Sequence, residues 1–137
     1  MDIQSNYIIY TDGAYSPNTQ VGGIGFIIYK DDKKVCEFSK PYSKTTNQRM
    51  EIKACIIALS SIKNPSNITI YTDSMYVVGT MTLKWQRKCN QDLWYKLDKL
   101  VNKHNVEFIH VKGHNGDSRN ERADKLATDA ISRASTI

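Results

Sequence analysis

The chain has 137 residues, 40% hydrophobic and 24% charged, a balance that favours one folded domain and excludes a disordered or fibrous chain. Lys and Arg total 19 against 14 acids, a net charge of +5. That excess suits a polyanionic partner such as a phosphate backbone, although it serves solubility equally well.

No run approaches the roughly 20 apolar residues that span a bilayer. Met1 to Asn6 also lacks the basic start and apolar block of a secretory signal. A cytoplasmic setting, or a nucleoid or nuclear one, is therefore expected, with no membrane partner.

In chain order, Tyr7-Ile8-Ile9-Tyr10-Thr11 is a β-branched and aromatic run that reads as a strand ending near Asp12-Gly13. Ser16-Pro17-Asn18 is a turn, and Gly22 to Tyr29 resumes a strand. Asp31-Asp32 punctuates a hairpin, and Lys34 to Tyr42 alternates as a third strand. From Asn47 to Lys63 the period changes: Met50, Ala54, Cys55, Ala58, Leu59 and Ile62 form a helical stripe, stopped by Asn64-Pro65-Ser66.

Ile68 to Thr72 is a fourth strand, ending at Asp73. Two helical stretches follow, around Ser74–Leu83 and Asp92–His104, and Val106 to Val111 is a fifth strand. Gly113 to Gly116 is a loop, and Ser118-Arg119-Asn120-Glu121 has the form of a capping box opening a last amphipathic helix. The order predicts an α/β fold: a five-stranded mixed sheet, three antiparallel then two parallel strands, with helices packed on both faces.

Cys36, Cys55 and Cys89 are odd in number, widely spaced and without a Cys-x-x-Cys pair, which argues against a disulfide framework or structural zinc. All three read as structural residues, and Cys55 falls on the apolar helical face. The segment from Lys84 to Lys103 carries six cations against two acids.

The acids are individually weak signals. Asp12 and Asp73 each follow an apolar strand and each serves as a turn former if considered alone. If those two strands are parallel neighbours, both acids stand at one sheet end, where ligand sites gather. Glu51 lies near a helix start beside the buried stripe, and Asp124 on the last helix reads alone as an exposed acid.

Their setting is more specific. Thr11-Asp12-Gly13, Thr46-Asn47-Gln48-Arg49-Met50-Glu51, Tyr71-Thr72-Asp73-Ser74, Val111-Lys112-Gly113-His114 and Asn120-Glu121-Arg122-Ala123-Asp124 resemble, in order, five signature blocks of type 1 ribonuclease H. The likeness runs over about residues 6–132. It implies a ribonuclease H-like fold, with residues 1–137 forming a single ribonuclease H domain. It also implies an endonuclease that hydrolyses the RNA strand of RNA–DNA hybrids.

The resemblance assigns Asp12, Glu51, Asp73 and Asp124 as catalytic metal ligands. Their hard oxygens suit two Mg²⁺ ions, with Mn²⁺ as a substitute. Two-metal-ion catalysis gives 5′-phosphate and 3′-hydroxyl ends. His114 is implied as a helper in proton transfer or product release, not an indispensable group.

Asn18, Asn47 and Gln48 match positions that contact the RNA strand. Thr46 and Asn90 match a DNA-strand phosphate pocket, with Lys44 a cationic neighbour. Trp85 matches a residue that stacks on DNA; packing inside the protein explains it as well, and more strongly explains Trp94. Gly22, Gly23 and Gly25 match a glycine-rich strand that admits nucleic acid close to the backbone.

Between Ser74 and Leu93 the chain departs from the longer family pattern: the extra helix and lysine-rich handle are missing, which leaves the basic stub Lys84, Trp85, Arg87 and Lys88. Weaker hybrid binding is the expected consequence. The expected state is a monomer. The rival readings are a nuclease of the same fold acting on DNA, a non-catalytic binding module, and a fragment that needs a larger polypeptide. Retention of all four acids opposes the second.

Overall fold

The computed structural model describes residues 5–112 and 117–135. Three strands open it: β1 (Asn6–Ser16), β2 (Val21–Lys30) and β3 (Lys33–Ser43). They are followed by α1 (Asn47–Ser60), β4 (Asn67–Thr72), α2 (Met75–Thr82), α3 (Gln91–Lys103), β5 (Asn105–His110) and α4 (Ser118–Ser135). The sheet order is β3-β2-β1-β4-β5. β1 pairs antiparallel with β2, and β2 with β3, whereas β1–β4 and β4–β5 are parallel. The mixed five-stranded sheet expected from the sequence is the one that forms.

Strand alternation divides β1 between two faces. Ile9, with Phe26 and Ile28 of β2 and Ile68 and Ile70 of β4, meets Ile52, Cys55 and Leu59 of α1 in the main core. Thr11 points the same way, its hydroxyl 3.7 Å from the Cys55 sulfur. Tyr10 and Asp12 turn to the opposite face, which α4 covers over β1, β2 and β3. α3 packs outside α1, and its Leu93, Trp94 and Leu97 complete the core. Trp94, 1% exposed, is a core residue.

The glycines of β2 have a different purpose from the one their resemblance suggests. A side chain on Gly23 or Gly25 would collide with the α4 backbone at Ala127 or Ala123, and one on Gly22 with Met50 of α1. All three are buried. They admit the two flanking helices close to the sheet, not nucleic acid.

Several boundaries differ from expectation. β1 continues to Ser16, so Asp12 lies inside the strand, opposite Gly25, and not after its end. Pairing with β2 extends the strand beyond the apolar run. The first helix ends at Ser60, where the Ser60 and Ser61 hydroxyls donate to the Ile56 and Ile57 carbonyls; Ile62 is still buried beyond it. The last helix is capped by Asp117, whose Oδ1 accepts from the backbone N–H groups of Arg119 (2.9 Å) and Asn120 (3.2 Å), so the capping acceptor stands one residue before Ser118. The Asp31-Asp32 hairpin is as read: both residues have positive φ, 50° and 65°, as a two-residue turn demands. Cys55 is buried and Cys36 half-buried, but Cys89 is exposed and packs in no core.

Candidate active site

The parallel pairing of β1 and β4 brings the first two acids together. Thr11 is in register with Thr72, so Asp73, the residue just past the end of β4, follows the same register position as Asp12 of β1. Asp12 is only 5% exposed. Burial pushes its carboxyl up to about 9, reinforced by the charge of Asp73 and by a hydrogen bond and charge from Asp124 of α4; the Gly13 N–H, 2.9 Å from Oδ1, opposes this. Three acids, from a strand, a strand end and a helix, therefore share one electrostatic neighbourhood.

Glu51 approaches from α1. It is half-buried, and burial raises its carboxyl above the usual range, with the charge of Asp73 adding to the rise. Hydrogen bonds from Ser74 and Asn47 pull the other way, the Asn47 amide donating to Oε1 at 2.9 Å. Ser74 also caps α2, accepting from the Val77 N–H at 3.2 Å.

Among the described residues, no three His, Cys, Asp or Glu side chains are already gathered into a metal cage. Uncompensated carboxylates repel, and here burial, Asp73 and Asp124 raise the Asp12 carboxyl while Asn47 and Ser74 hold Glu51. The donor set itself, carboxylate oxygens with one strongly buried member, suits a hard divalent cation.

His114 lies outside the described residues. The RNA-side candidates are spread out: Asn18 is exposed in the β1–β2 turn, Gln48 is exposed at the start of α1, and only Asn47 touches an acid.

On the other side of α1, Thr46 is the N-cap, its hydroxyl accepting from the Arg49 N–H at 3.1 Å. Asn90, in the left-handed region at φ 62°, precedes α3 and accepts from Arg49 at 3.2 Å; its amide donates to the Tyr76 hydroxyl at 3.0 Å. Arg49 also forks onto Asp92, at 3.1 and 2.8 Å. Thr46 and Asn90 are thus joined through Arg49. Lys44 is exposed beside them in sequence. Trp85 lies against Gly79 of α2 and is still 45% exposed, so its ring has one packed and one accessible side.

Sequence reasoning passed over Arg49, Ser74 and His110, whose Nε2 lies 3.2 Å from the Asp73 carbonyl. Arg49 and Ser74 stood inside quoted motifs, and their polarity within those blocks was the available signal. Nothing local marked His110.

A sheet of order β3-β2-β1-β4-β5 with helices on both faces and acids at the junction of its parallel strands is the ribonuclease H-like fold. The family model described as RNase H matches residues 4–132. A ribonuclease H of Trichodesmium erythraeum is 44% identical over 89% of this chain and 86% of that protein. One from Clostridium botulinum strain Hall is 41% identical over 90% and 94%. Among solved structures, LC11-RNase H1 in complex with RNA/DNA hybrid superposes with a TM-score of 0.81 at 26% identity, over 95% of this chain and 99% of that one. The chain belongs to the RNase H family and is a ribonuclease.

Proposed function

We propose that this ribonuclease hydrolyses the RNA strand of RNA–DNA hybrids, using divalent cations held by Asp12, Glu51, Asp73 and Asp124. The observation that carries this reading is the buried Asp12 carboxyl, raised to about 9 by burial, Asp73 and Asp124. A cluster so costly to ionise is suited to a counter-cation. Its all-oxygen chemistry favours Mg²⁺, with Mn²⁺ as substitute. The match to the RNase H family and the likeness to a relative solved with hybrid supply the substrate class.

Two bound ions would supply an activated water and charge neutralisation at the departing 3′ oxygen, leaving 5′-phosphate and 3′-hydroxyl ends. The chain's own residues do the remaining work. Asn47 orients Glu51 through its amide. His114 assists proton transfer or product release near the attacking side. Asn18, Asn47 and Gln48 answer the RNA 2′-hydroxyls, since amides both donate and accept. Thr46, Asn90 and Lys44 receive a phosphate of the DNA strand, and the accessible side of Trp85 stacks beside it.

Residues 1–137 act as one domain and as a monomer in this reading. No helix among the described residues is long and apolar enough to cross a membrane, and the proposed setting is cytoplasmic, nucleoid or nuclear.

The decisive assay incubates an end-labelled hybrid with Mg²⁺, with Mn²⁺ or with chelator, alongside single-stranded RNA, duplex RNA and duplex DNA. Metal-dependent cleavage of hybrid RNA alone, giving 5′-phosphate ends, is the expected result. Equal cleavage of duplex DNA, or cleavage undiminished by chelator, would overturn it.

A further inference from the structure

A second charged surface begins where the Thr46–Asn90 pair ends. Arg49 and Lys53 are four residues apart on α1 and so share one helix face; Asp92 and Lys96 do the same on α3, which packs against α1. Lys40 and Tyr42, two apart on the edge strand β3, share a sheet face with them, Tyr42 packing on the cluster of Ile24, Met50 and Ala54. Two ammonium groups lie over the Tyr42 ring: Lys53 Nζ is 4.4 Å and Lys40 Nζ 5.3 Å from its centroid.

Three elements thus bring Lys40, Arg49, Lys53 and Lys96 together, and the acid facing them, Asp92, is already engaged by Arg49. Like charges assembled at this density are relieved by a polyanion.

We infer that Lys40 and Lys53, ordered around Tyr42, and Lys96, one turn past Asp92 on α3, form a phosphate-backbone track that continues the DNA-strand contact past Arg49 and Asn90. The inference rests on the hybrid-cleaving function proposed above. A nucleic acid backbone is favoured over an acidic protein because the track is continuous with the Thr46–Arg49–Asn90 group. It also presents separated point charges, suited to successive phosphates, where a carboxylate partner would call for paired forks. Without the handle of longer relatives, this face offers an alternative source of phosphate neutralisation.

The test is a triple variant, Lys40→Ala, Lys53→Ala and Lys96→Ala, compared with wild type on hybrids of increasing length. In Mg²⁺, both proteins should show the same kcat and KM on the shortest cleavable hybrid. On long hybrids the variant's KM should rise about tenfold with kcat unchanged. In chelator, its log affinity for long hybrid should fall less steeply with log salt, by up to roughly 0.9 for each phosphate no longer neutralised. The charge-keeping triple Lys→Arg variant should recover wild-type values.

Unchanged KM on long hybrids would overturn the track. So would an equal loss at every length with no arginine rescue, which would show only structural support of Tyr42. Selective loss of binding to polyglutamate, with hybrid kinetics intact, would overturn it in favour of an acidic protein partner. If wild type cleaves no hybrid of any length, the parent function falls and the track with it; that result is distinct from a variant matching an active wild type.

Discussion

Asp12 of β1 and Asp124 of α4 meet at the sheet face that α4 covers, where burial, then the charges of Asp73 just past β4 and of Asp124, raise the Asp12 carboxyl. The pair is held by packing that has nothing to do with the acids. Gly25, the cross-strand partner of Asp12, lets α4 settle against the sheet at Ala123, the residue before Asp124.

Asp12→Asn should reduce hybrid cleavage to background and raise the melting temperature of the metal-free protein at neutral pH. The sign follows from linkage: a carboxyl whose folded value is about 9, against an ordinary value of 3.8, binds more protons folded than unfolded across that window. Its contribution to stability therefore declines as pH rises from about 4 toward 9. Melting in chelator should show the variant's advantage growing between pH 5 and pH 8 and shrinking on addition of Mg²⁺. A variant less stable than wild type at pH 8 would contradict the burial argument.

Gly25→Ala should destabilise without touching a polar group. The added methyl meets the Ala123 carbonyl, the Ala127 N–H and the Leu126 side chain, two of them backbone atoms that cannot swing away. Overpacking of this kind costs about 1–3 kcal/mol. Urea denaturation reads it directly, and activity should fall too as Asp124 shifts with the helix.

His104 gives an acid-side prediction. It is 8% exposed, and its Nδ1 accepts from the Ser66 N–H at 3.1 Å, tying the end of α3 to the start of β4. Burial first, then the charge of Lys103, holds its imidazole below the usual 6.5. The neutral ring is thus favoured on folding. This contribution is intact above about pH 6.5 and is lost as pH falls below it. Denaturation midpoints at pH 8 and pH 5 should differ more for wild type than for His104→Gln; equal differences would remove His104 from the account.

His114→Ala should slow turnover by no more than about 100-fold, the lower end of what a positioned acid or base contributes. Single-turnover and steady-state rates on hybrid would separate proton transfer from product release. Complete loss of cleavage would place His114 beside the four acids in importance.

Much of this molecule can be read along the chain. The stripe of Met50, Ala54, Cys55, Ala58 and Leu59 is buried as its spacing requires, and the strand runs at Ile8-Ile9, Ile27-Ile28 and Ile68–Ile70 lie in strands. Periodicity is a local property, so sequence suffices for it. The blocks around Asp12, Glu51, Asp73 and Asp124 are likewise recognisable as motifs. Termini were less legible: β1 outran its apolar segment because β2 pairs with it to Ser16, and Asp117 displaced Ser118 as the helix cap.

Proximity belongs to the tertiary structure alone. Only the parallel register of Thr11 with Thr72 sets Asp12 beside Asp73, and only the seating of α4 on glycines brings Asp124 to them. The joining of Arg49 to Asn90 and Asp92, and the gathering of Lys40 and Lys53 about Tyr42, likewise depend on how α1, α3 and β3 pack. Spacing along a chain encodes which face a side chain takes within its own element. Distance between elements, and with it the burial and then the Coulomb energy that raise the Asp12 carboxyl, exists only after the elements have packed.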